Sequence, residues 1–167
     1  ISAGEPGDQG AIVPLSAKGP PSWVPVVENR GEGIFLRFDE SAVQAWEAAA
    51  FDNPVLASMR RAHRKYRQDR NVDPNEGWPG ERYVLLHSLS HALINELAIE
   101  CGYSSASIGE RIYSRGPGEG PELMAGILLY TSAPDAEGTL GGLVNLGKPG
   151  QLGPIITRAL ERSGLCS

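Results

Sequence analysis

One long stretch, from Glu81 to Cys101, constrains the fold more than any other part of the sequence. Its large apolar side chains surround much of the circumference of a helix: Leu85, Leu86, Leu89, Leu93, Ile94 and Leu97. A helix that is apolar on most of its sides is buried among other elements. Gly102 follows at the position where a left-handed residue commonly ends a helix. The sequence therefore predicts a long central helix.

Shorter elements are predicted on both sides of this helix. Strands are expected at 33–38 and 125–132, and helices at about 42–50, 54–68, 105–113 and 152–162. In the second strand, the consecutive apolar residues Ile127 to Tyr130 predict burial on both faces. We expect a mixed α/β fold, with a mixed α+β arrangement as the alternative: a small sheet packed by the long central helix, with glycine-rich loops.

Composition and charge narrow the class of protein. The chain has 21 glycines and 13 prolines, many of them near the start and between Gly116 and Gly153, which predicts long loops. A net charge of −5 gives no overall basic field for nucleic acid. Two cysteines indicate no disulfide framework and suit a reducing cytosol, so we expect a cytoplasmic protein. Neither a secretory signal nor a membrane-spanning run is visible. The two ends of the sequence suggest a fragment of a longer protein.

The central helix carries a polar stripe. His87, His91 and Asn95 recur every four residues, with Ser88 beside them, so they share one side of the helix. The stripe has three interpretations. Histidines at this spacing can bind zinc, although the HSLSH segment lacks the glutamate of the metalloprotease motif. One histidine could act in acid–base chemistry near Asp135 or Glu137. Alternatively, both histidines are hydrogen-bonded groups that hold the helix to a loop.

The segment PDAEGTLGG follows the second predicted strand. It contains Asp135, Glu137, Gly138 and Gly141, and Gly142 is its last residue. Loops after the carboxyl ends of strands form the binding crevice of many α/β proteins, and a helix starting here would favour an anion. The three glycines are therefore a candidate ligand-binding loop. The alternative is a glycine-rich turn that packs tightly on the central helix, and no lysine follows it as in a phosphate-binding loop.

The helix predicted at 54–68 has a cationic face. The candidate nucleic-acid-binding residues are Arg60, Arg61, Arg64, Lys65 and Arg67, and Arg70 follows them. Such a concentration of charge can contact phosphates or an acidic protein partner. It can equally be a solvated helix face, as charge runs commonly are.

Three segments of the sequence carry a family likeness: WVPVVENRGEGIFLRFDESAVQAWE, YVLLHSLSHALINELAIECGYSSASIGERIYS and GILLYTSAPDAEGTLGGLV. They resemble the carboxy-terminal domain of the DrmB family of DISARM anti-phage proteins and, more distantly, that of MrfA-type helicases. This domain, formerly of unknown function, is described as the MrfA-type zinc-binding domain. We therefore divide the chain into a linker or irregular lead-in, residues 1–22, and a helicase-associated domain of this type, residues 23–167, truncated at its carboxy end.

The resemblance also implies a function. It implies a cytoplasmic bacterial protein that works with a DrmA-like superfamily 2 helicase on DNA, and a four-cysteine zinc site near the carboxy end. Only Cys166 matches that site, so zinc is expected in the full-length protein with the other ligands outside this chain. We expect a non-catalytic accessory domain that supports DNA engagement or helicase-subunit assembly. The alternative is a hydrolase or nuclease-like domain that uses His87, His91, Asp135 and Glu137.

Overall fold

The central helix determines how the other elements pack. The computed structural model describes residues 31–131 and 142–165, together with Trp23, Val24 and Val26. The elements in this part of the chain, in order, are β1 (Gly33–Arg37), α1 (Glu40–Ala50), α2 (Pro54–Gln68), α3 (Glu81–Cys101), a 3₁₀ turn (Ser105–Ser107), β2 (Ile108–Tyr113), β3 (Gly126–Thr131), α4 (Gly142–Leu146) and α5 (Pro149–Leu165). The mixed α/β fold class is confirmed.

The predicted central helix is confirmed as α3, with the predicted start and end. Gly102 adopts the left-handed conformation, with φ of 69°; its N–H donates to the Ile99 carbonyl, and the Tyr103 N–H donates to the Ala98 carbonyl. A residue without a Cβ takes this conformation at no steric cost. Leu86, Leu93 and Leu97 are completely buried, so α3 forms one wall of the hydrophobic core.

Two further helices follow their sequence signals. The Asp39 carboxylate accepts a hydrogen bond of 3.0 Å from the Ala42 N–H and so caps α1. The Asn53 side chain accepts from the Val55 N–H at 2.9 Å, and Pro54 occupies the first turn of α2. Helix α5 is longer than the predicted helix at 152–162, because its first turn begins at Pro149.

The sheet is antiparallel, with strand order β1-β3-β2. One face packs against α3 and contributes to the hydrophobic core: Ile34, Ile108, Ile127 and Leu129. The other face carries Phe35, which is 56% exposed, and Tyr130, which is 37% exposed. The prediction that Ile127 to Tyr130 is buried on both faces was therefore wrong. Successive side chains of a strand alternate between faces, and in the described part of the chain the helices cover one of them.

The predicted helix over residues 105–113 was also wrong. Ser104 caps only a short 3₁₀ turn, and the chain then enters β2. Strand β2 pairs with β3 from Ile108 opposite Thr131 to Tyr113 opposite Gly126. These hydrogen bonds join segments far apart in sequence and override the weak local helix signal. The antiparallel sheet also removes the argument that placed a binding crevice at the carboxyl ends of parallel strands.

The described residues fall into two compact units. One includes residues 57–78, with most of α2 and the loop that follows it. The other includes residues 31–56, 79–131 and 142–165, with the sheet, α1, α3, α4 and α5. The predicted lead-in at residues 1–22 lies outside the described residues, so the boundary between the lead-in and the domain stays a prediction. Within the described chain, no helix combines the length and apolar character that crossing a bilayer requires.

Candidate functional site

The polar stripe of α3 lies at the edge of the core. His87 is half-buried, whereas Ser88, His91 and Asn95 are exposed, so the stripe is less deeply buried than the surrounding leucines suggested. The buried polar residues of α3 lie elsewhere on the helix, at Arg82, Ser90 and Glu96. The sequence analysis did not single out these three, because nothing local distinguishes a buried charged residue from a solvated one.

The two histidines of the stripe converge on one carboxylate. The Nδ1 atom of His87 lies 2.7 Å from Oε1 of Glu110, and the Nε2 atom of His91 lies 3.8 Å from the same oxygen. The two imidazole rings are nearly perpendicular, with centroids 4.5 Å apart. We call these three residues the His–His–Glu cluster. Among the described residues, it is the one group of three His, Cys, Asp or Glu side chains whose ligand atoms all lie within 4.8 Å of one another.

The contacts around this cluster are uneven. The single proton of the Ser90 hydroxyl is shared between two acceptors, Oε2 of Glu110 and the His87 carbonyl, the latter at 2.9 Å. Tyr83 stacks on the His87 ring, with centroids 5.4 Å apart. The buried His87 Nδ1 atom, in contrast, has no hydrogen-bond partner among the described residues. Its short approach to Glu110 therefore lacks hydrogen-bond geometry. Nearly all buried polar atoms in proteins have a hydrogen-bond partner, so this one requires an explanation.

Glu110 was missed as a member of the site, because the sequence analysis placed it in the helix predicted at 105–113. In β2 it lies between Ile108 and Ile112, two residues from each, so all three point to the face that packs against α3. A carboxylate at an apolar period-two position was the available signal. The two carboxylates predicted for this site, Asp135 and Glu137, lie outside the described residues.

The glycine loop is described only at its end. Gly138 and Gly141 lie outside the described residues, and Gly142 begins α4, where an added Cβ would lie 3.4 Å from the Tyr103 hydroxyl. The N–H groups of Leu143 and Val144 donate to the Glu32 carboxylate at 3.0 and 3.1 Å. An anion does lie at this helix start, but it belongs to the chain itself.

The cationic face of α2 is only partly exposed. Arg61, Arg64 and Lys65 are exposed, and Arg60 is half-exposed. Lys65 also pairs with Asp69 at 3.2 Å. Arg67 differs, because its side chain is 13% exposed and turns toward the following loop, where it bonds the Asp73 carbonyl. The exposed side chains of the predicted set are therefore Arg61, Arg64 and Lys65.

The predicted cysteine site cannot be completed by this chain. A structural zinc site takes four ligands, and the sequence contains two cysteines. Cys101 packs against the core as a half-buried thiol, and burial raises the pKa of this thiol, with a smaller effect from the Glu32 carboxylate. Cys166 lies outside the described residues. The described donors that fit zinc are those of the His–His–Glu cluster, whose two imidazoles and one carboxylate are ligand types that zinc accepts.

Comparison with known proteins gives one matching family and one relative. Residues 89–167 match the MrfA Zn-binding domain family. The chain is also 38% identical over 161 residues to the DISARM protein DrmB of Bacillus paralicheniformis. This match covers 93% of the chain and 27% of the relative, so the chain spans about a quarter of the length of the curated relative it matches.

Proposed function

The chain belongs to the DrmB family, and from this premise we propose that it is part of a DISARM-type anti-phage defence protein, where it acts as an accessory module. In this role the module supports DNA engagement or the assembly of a DrmA-like superfamily 2 helicase with its partner subunit. The proposal includes zinc in the full-length protein and a cytoplasmic location, where a helicase complex meets phage DNA. It includes no membrane partner.

The exposed cations of α2 are the observation that carries this proposal. Arg61, Arg64 and Lys65 project from adjacent turns of one helix, and Arg60 extends the same region. The chain as a whole has a net charge of −5, so the positive charge of these side chains is opposite in sign to that of the whole chain. Guanidinium groups bind phosphate oxygens with two parallel hydrogen bonds, which suits a DNA backbone. Contacts to phosphates position a protein on DNA without reading its sequence, as an accessory module requires.

A charge-reversal variant tests whether α2 binds DNA. Arg60, Arg61 and Arg64 are replaced by glutamate, and binding to duplex DNA is measured against salt concentration. Each phosphate contact that is lost should make the logarithmic salt slope shallower by about 0.9. The matched control replaces Arg37, Arg111 and Lys148 by glutamate. These three residues are exposed cations of the other compact unit. Unchanged affinity and slope in the first variant, or an equal loss in the control, would exclude this helix from a DNA interface.

The alternative role, assembly of the helicase with its partner subunit, is tested with the same variant within the full-length protein. Co-purification of the helicase subunit is measured for wild type, for the α2 variant and for the control. If the α2 variant binds DNA normally but loses the helicase, the cationic face contacts protein instead. If both measurements equal those of wild type, the accessory role does not depend on α2, and the proposal fails for this surface.

A second candidate function is a hydrolase or nuclease-like activity, favoured by the convergence of His87 and His91 on Glu110. Glu110 takes the place given to Asp135 and Glu137 in the sequence analysis. Replacing the exposed His91 by alanine should leave complex assembly intact and abolish anti-phage protection if the cluster performs chemistry. Full protection by this variant would reject the enzymatic candidate and leave the accessory role.

A further inference from the structure

We propose that His87, His91 and Glu110 form a binding site for a divalent zinc ion, separate from any site built of cysteines. The proposal does not rest on the DNA or helicase role of the chain. It rests on the arrangement of three side chains from two elements, α3 and β2, which pack on one another within one compact unit.

The donor set selects zinc over harder cations. Two imidazole nitrogens and one carboxylate oxygen are the ligands of a known class of three-residue zinc sites, whereas calcium and magnesium prefer oxygen ligands alone. Histidines four residues apart lie on the same side of a helix and can reach one ion. The carboxylate comes from a strand that faces this side of the helix, so the three donors approach from different directions.

The distances allow the ion to enter with small side-chain movements. Zinc bonds of 2.0–2.2 Å in a tetrahedron separate neighbouring ligand atoms by roughly 3.3 Å. The Oε1 atom of Glu110 lies 2.7 Å from Nδ1 of His87 and 3.8 Å from Nε2 of His91, which brackets that separation. Small adjustments of the two imidazole rings would bring both distances toward the required value, while Ser90 holds the Glu110 carboxyl group.

Two observations support a ligand role over a hydrogen-bonding one. The buried Nδ1 atom of His87 lacks a hydrogen-bond partner among the described residues although a carboxylate oxygen lies beside it. Leaving such an atom unpaired is unfavourable, and a bond to a metal ion would give it a partner. The second observation is that Ser90 binds Oε2 of Glu110, so the carboxylate is held in place while its Oε1 atom remains directed at the histidines. Groups that orient metal ligands in this way are typical of protein metal sites.

The site is open on the side of His91, whose side chain is 62% exposed. A cleft between α3 and α5 begins there and is lined by polar residues that include Ser88, Asn95 and Arg162. Zinc sites with three protein ligands keep a fourth position for water or an incoming ligand. The fourth ligand of this ion would therefore be water from the solvent-exposed side.

Metal binding by the chain tests the proposal directly. The protein is freed of metal with a chelator, and zinc affinity is measured by competition with a chromogenic chelator. Cobalt(II) then serves as a spectroscopic probe, because thiolate ligands add charge-transfer absorption that imidazole and carboxylate ligands lack. We expect one zinc ion per chain and a cobalt spectrum without thiolate absorption. His91→Ala and the isosteric Glu110→Gln should weaken zinc binding by more than about 100-fold, since lost outer contacts alone cost 10–100-fold.

The chain offers matched controls. His63 is the third of its three histidines and lies on α2, in the other compact unit, so His63→Ala should bind zinc like wild type. Cys101→Ala and Cys166→Ser should also retain binding. Absence of zinc binding by the wild-type chain would overturn the proposal. Loss of the ion in the cysteine variants, with normal binding in Glu110→Gln, would overturn it equally, because the ion would then be held by thiolates.

Discussion

Two charged clusters on the same helix differ in how completely their groups are paired. Near the start of α3, the buried Arg82 guanidinium binds Glu40 at 2.6 Å and Glu47 at 2.8 Å, and also donates to the Arg115 carbonyl at 2.9 Å. One turn later, His87 and His91 approach Glu110 but leave the buried His87 Nδ1 without a hydrogen bond. The first cluster is closed, and the second is open.

This difference distinguishes a cluster that stabilises the fold from a cluster that can bind an ion. A buried charge is tolerated when its hydrogen bonds are satisfied, and the closed cluster meets that condition while joining α1 to α3. Its pairing also appears in the pKa of Arg82, which is raised chiefly by the hydrogen bonds to Glu47, against the effect of burial. The open cluster has donor atoms to spare, so it can accept an ion. The following predictions test this contrast, from the largest effect to the smallest.

Replacing Arg82 by methionine should lower the free energy of unfolding by about 3–5 kcal/mol, because Glu40 and Glu47 would lose their buried partner. The measurement is urea denaturation followed by circular dichroism. Arg61→Met is the matched control, since that side chain is exposed and its loss should change stability by less than about 0.5 kcal/mol. Equal stability of the two variants would show that the closed cluster is not a structural element.

Zinc should stabilise the chain through the open cluster alone. An ion that binds only the folded state, present at 100 times its dissociation constant, adds about 2.7 kcal/mol to the free energy of unfolding. The increment is measured as the difference between denaturation curves with zinc and with chelator. It should disappear in Glu110→Gln and persist in Glu161→Gln, where the carboxylate is exposed on α5. An increment that survives in Glu110→Gln would place the ion elsewhere.

Replacing Ser90 by alanine should distinguish support of the site from support of the fold. The completely buried Ser90 hydroxyl binds both Glu110 and the His87 carbonyl, so its loss should lower stability by about 1–2 kcal/mol. Zinc affinity should fall by about 10-fold, because the Glu110 carboxylate is no longer held. Ser88→Ala, one helical position from His87 and exposed, is the control for both measurements. Unchanged zinc affinity in Ser90→Ala would argue against the orienting role.

The sequence analysis identified features that depend on local chemistry. The end of α3 follows from Gly102, which acts on its immediate neighbours. The spacing of His87 and His91 likewise shows that they share one side of a helix. Local signals therefore located α1, α2 and α3, and two of the three residues of the His–His–Glu cluster.

The remainder depends on contacts between distant segments. Strand β2 exists because it pairs with β3, and without it Glu110 could not be recognised as the partner of the two histidines. The closed cluster joins Arg82 to Glu47 and Glu40 across 35 and 42 positions. No local pattern specifies such pairings, because they are decided by how α1 and α3 pack.

Acid should weaken the pairing of Glu40 with Arg82 in the closed cluster. This is the smallest expected effect, and it tests the pairing directly. Burial by itself favours the neutral form of the Glu40 carboxyl, but the hydrogen bonds from Arg82 and Gln44 outweigh it, so the pKa of Glu40 lies below its ordinary value of 4.5. A carboxyl whose pKa is lower in the folded state contributes stability above its unfolded pKa and loses it as pH falls through the folded pKa. Glu40→Gln, which mimics the protonated form, should therefore be less stable than wild type near neutrality, and the difference should disappear as pH falls below 4.5 and through the lowered pKa of Glu40.

Denaturation curves of wild type, Glu40→Gln and the exposed control Glu161→Gln, recorded from neutral to acid pH, check this expectation. The Glu161→Gln curve should follow wild type throughout, so any narrowing of the gap for Glu40→Gln reports on the Arg82 pair. Asp39, whose pKa is also lowered, chiefly by the Ser41 hydroxyl, is present in all three proteins. A gap that stays constant down to acid pH would mean that Glu40 is not held in its charged form by Arg82. The closed cluster would then owe its stability to Glu47 and the backbone carbonyls, and the contrast with the open cluster would rest on fewer bonds.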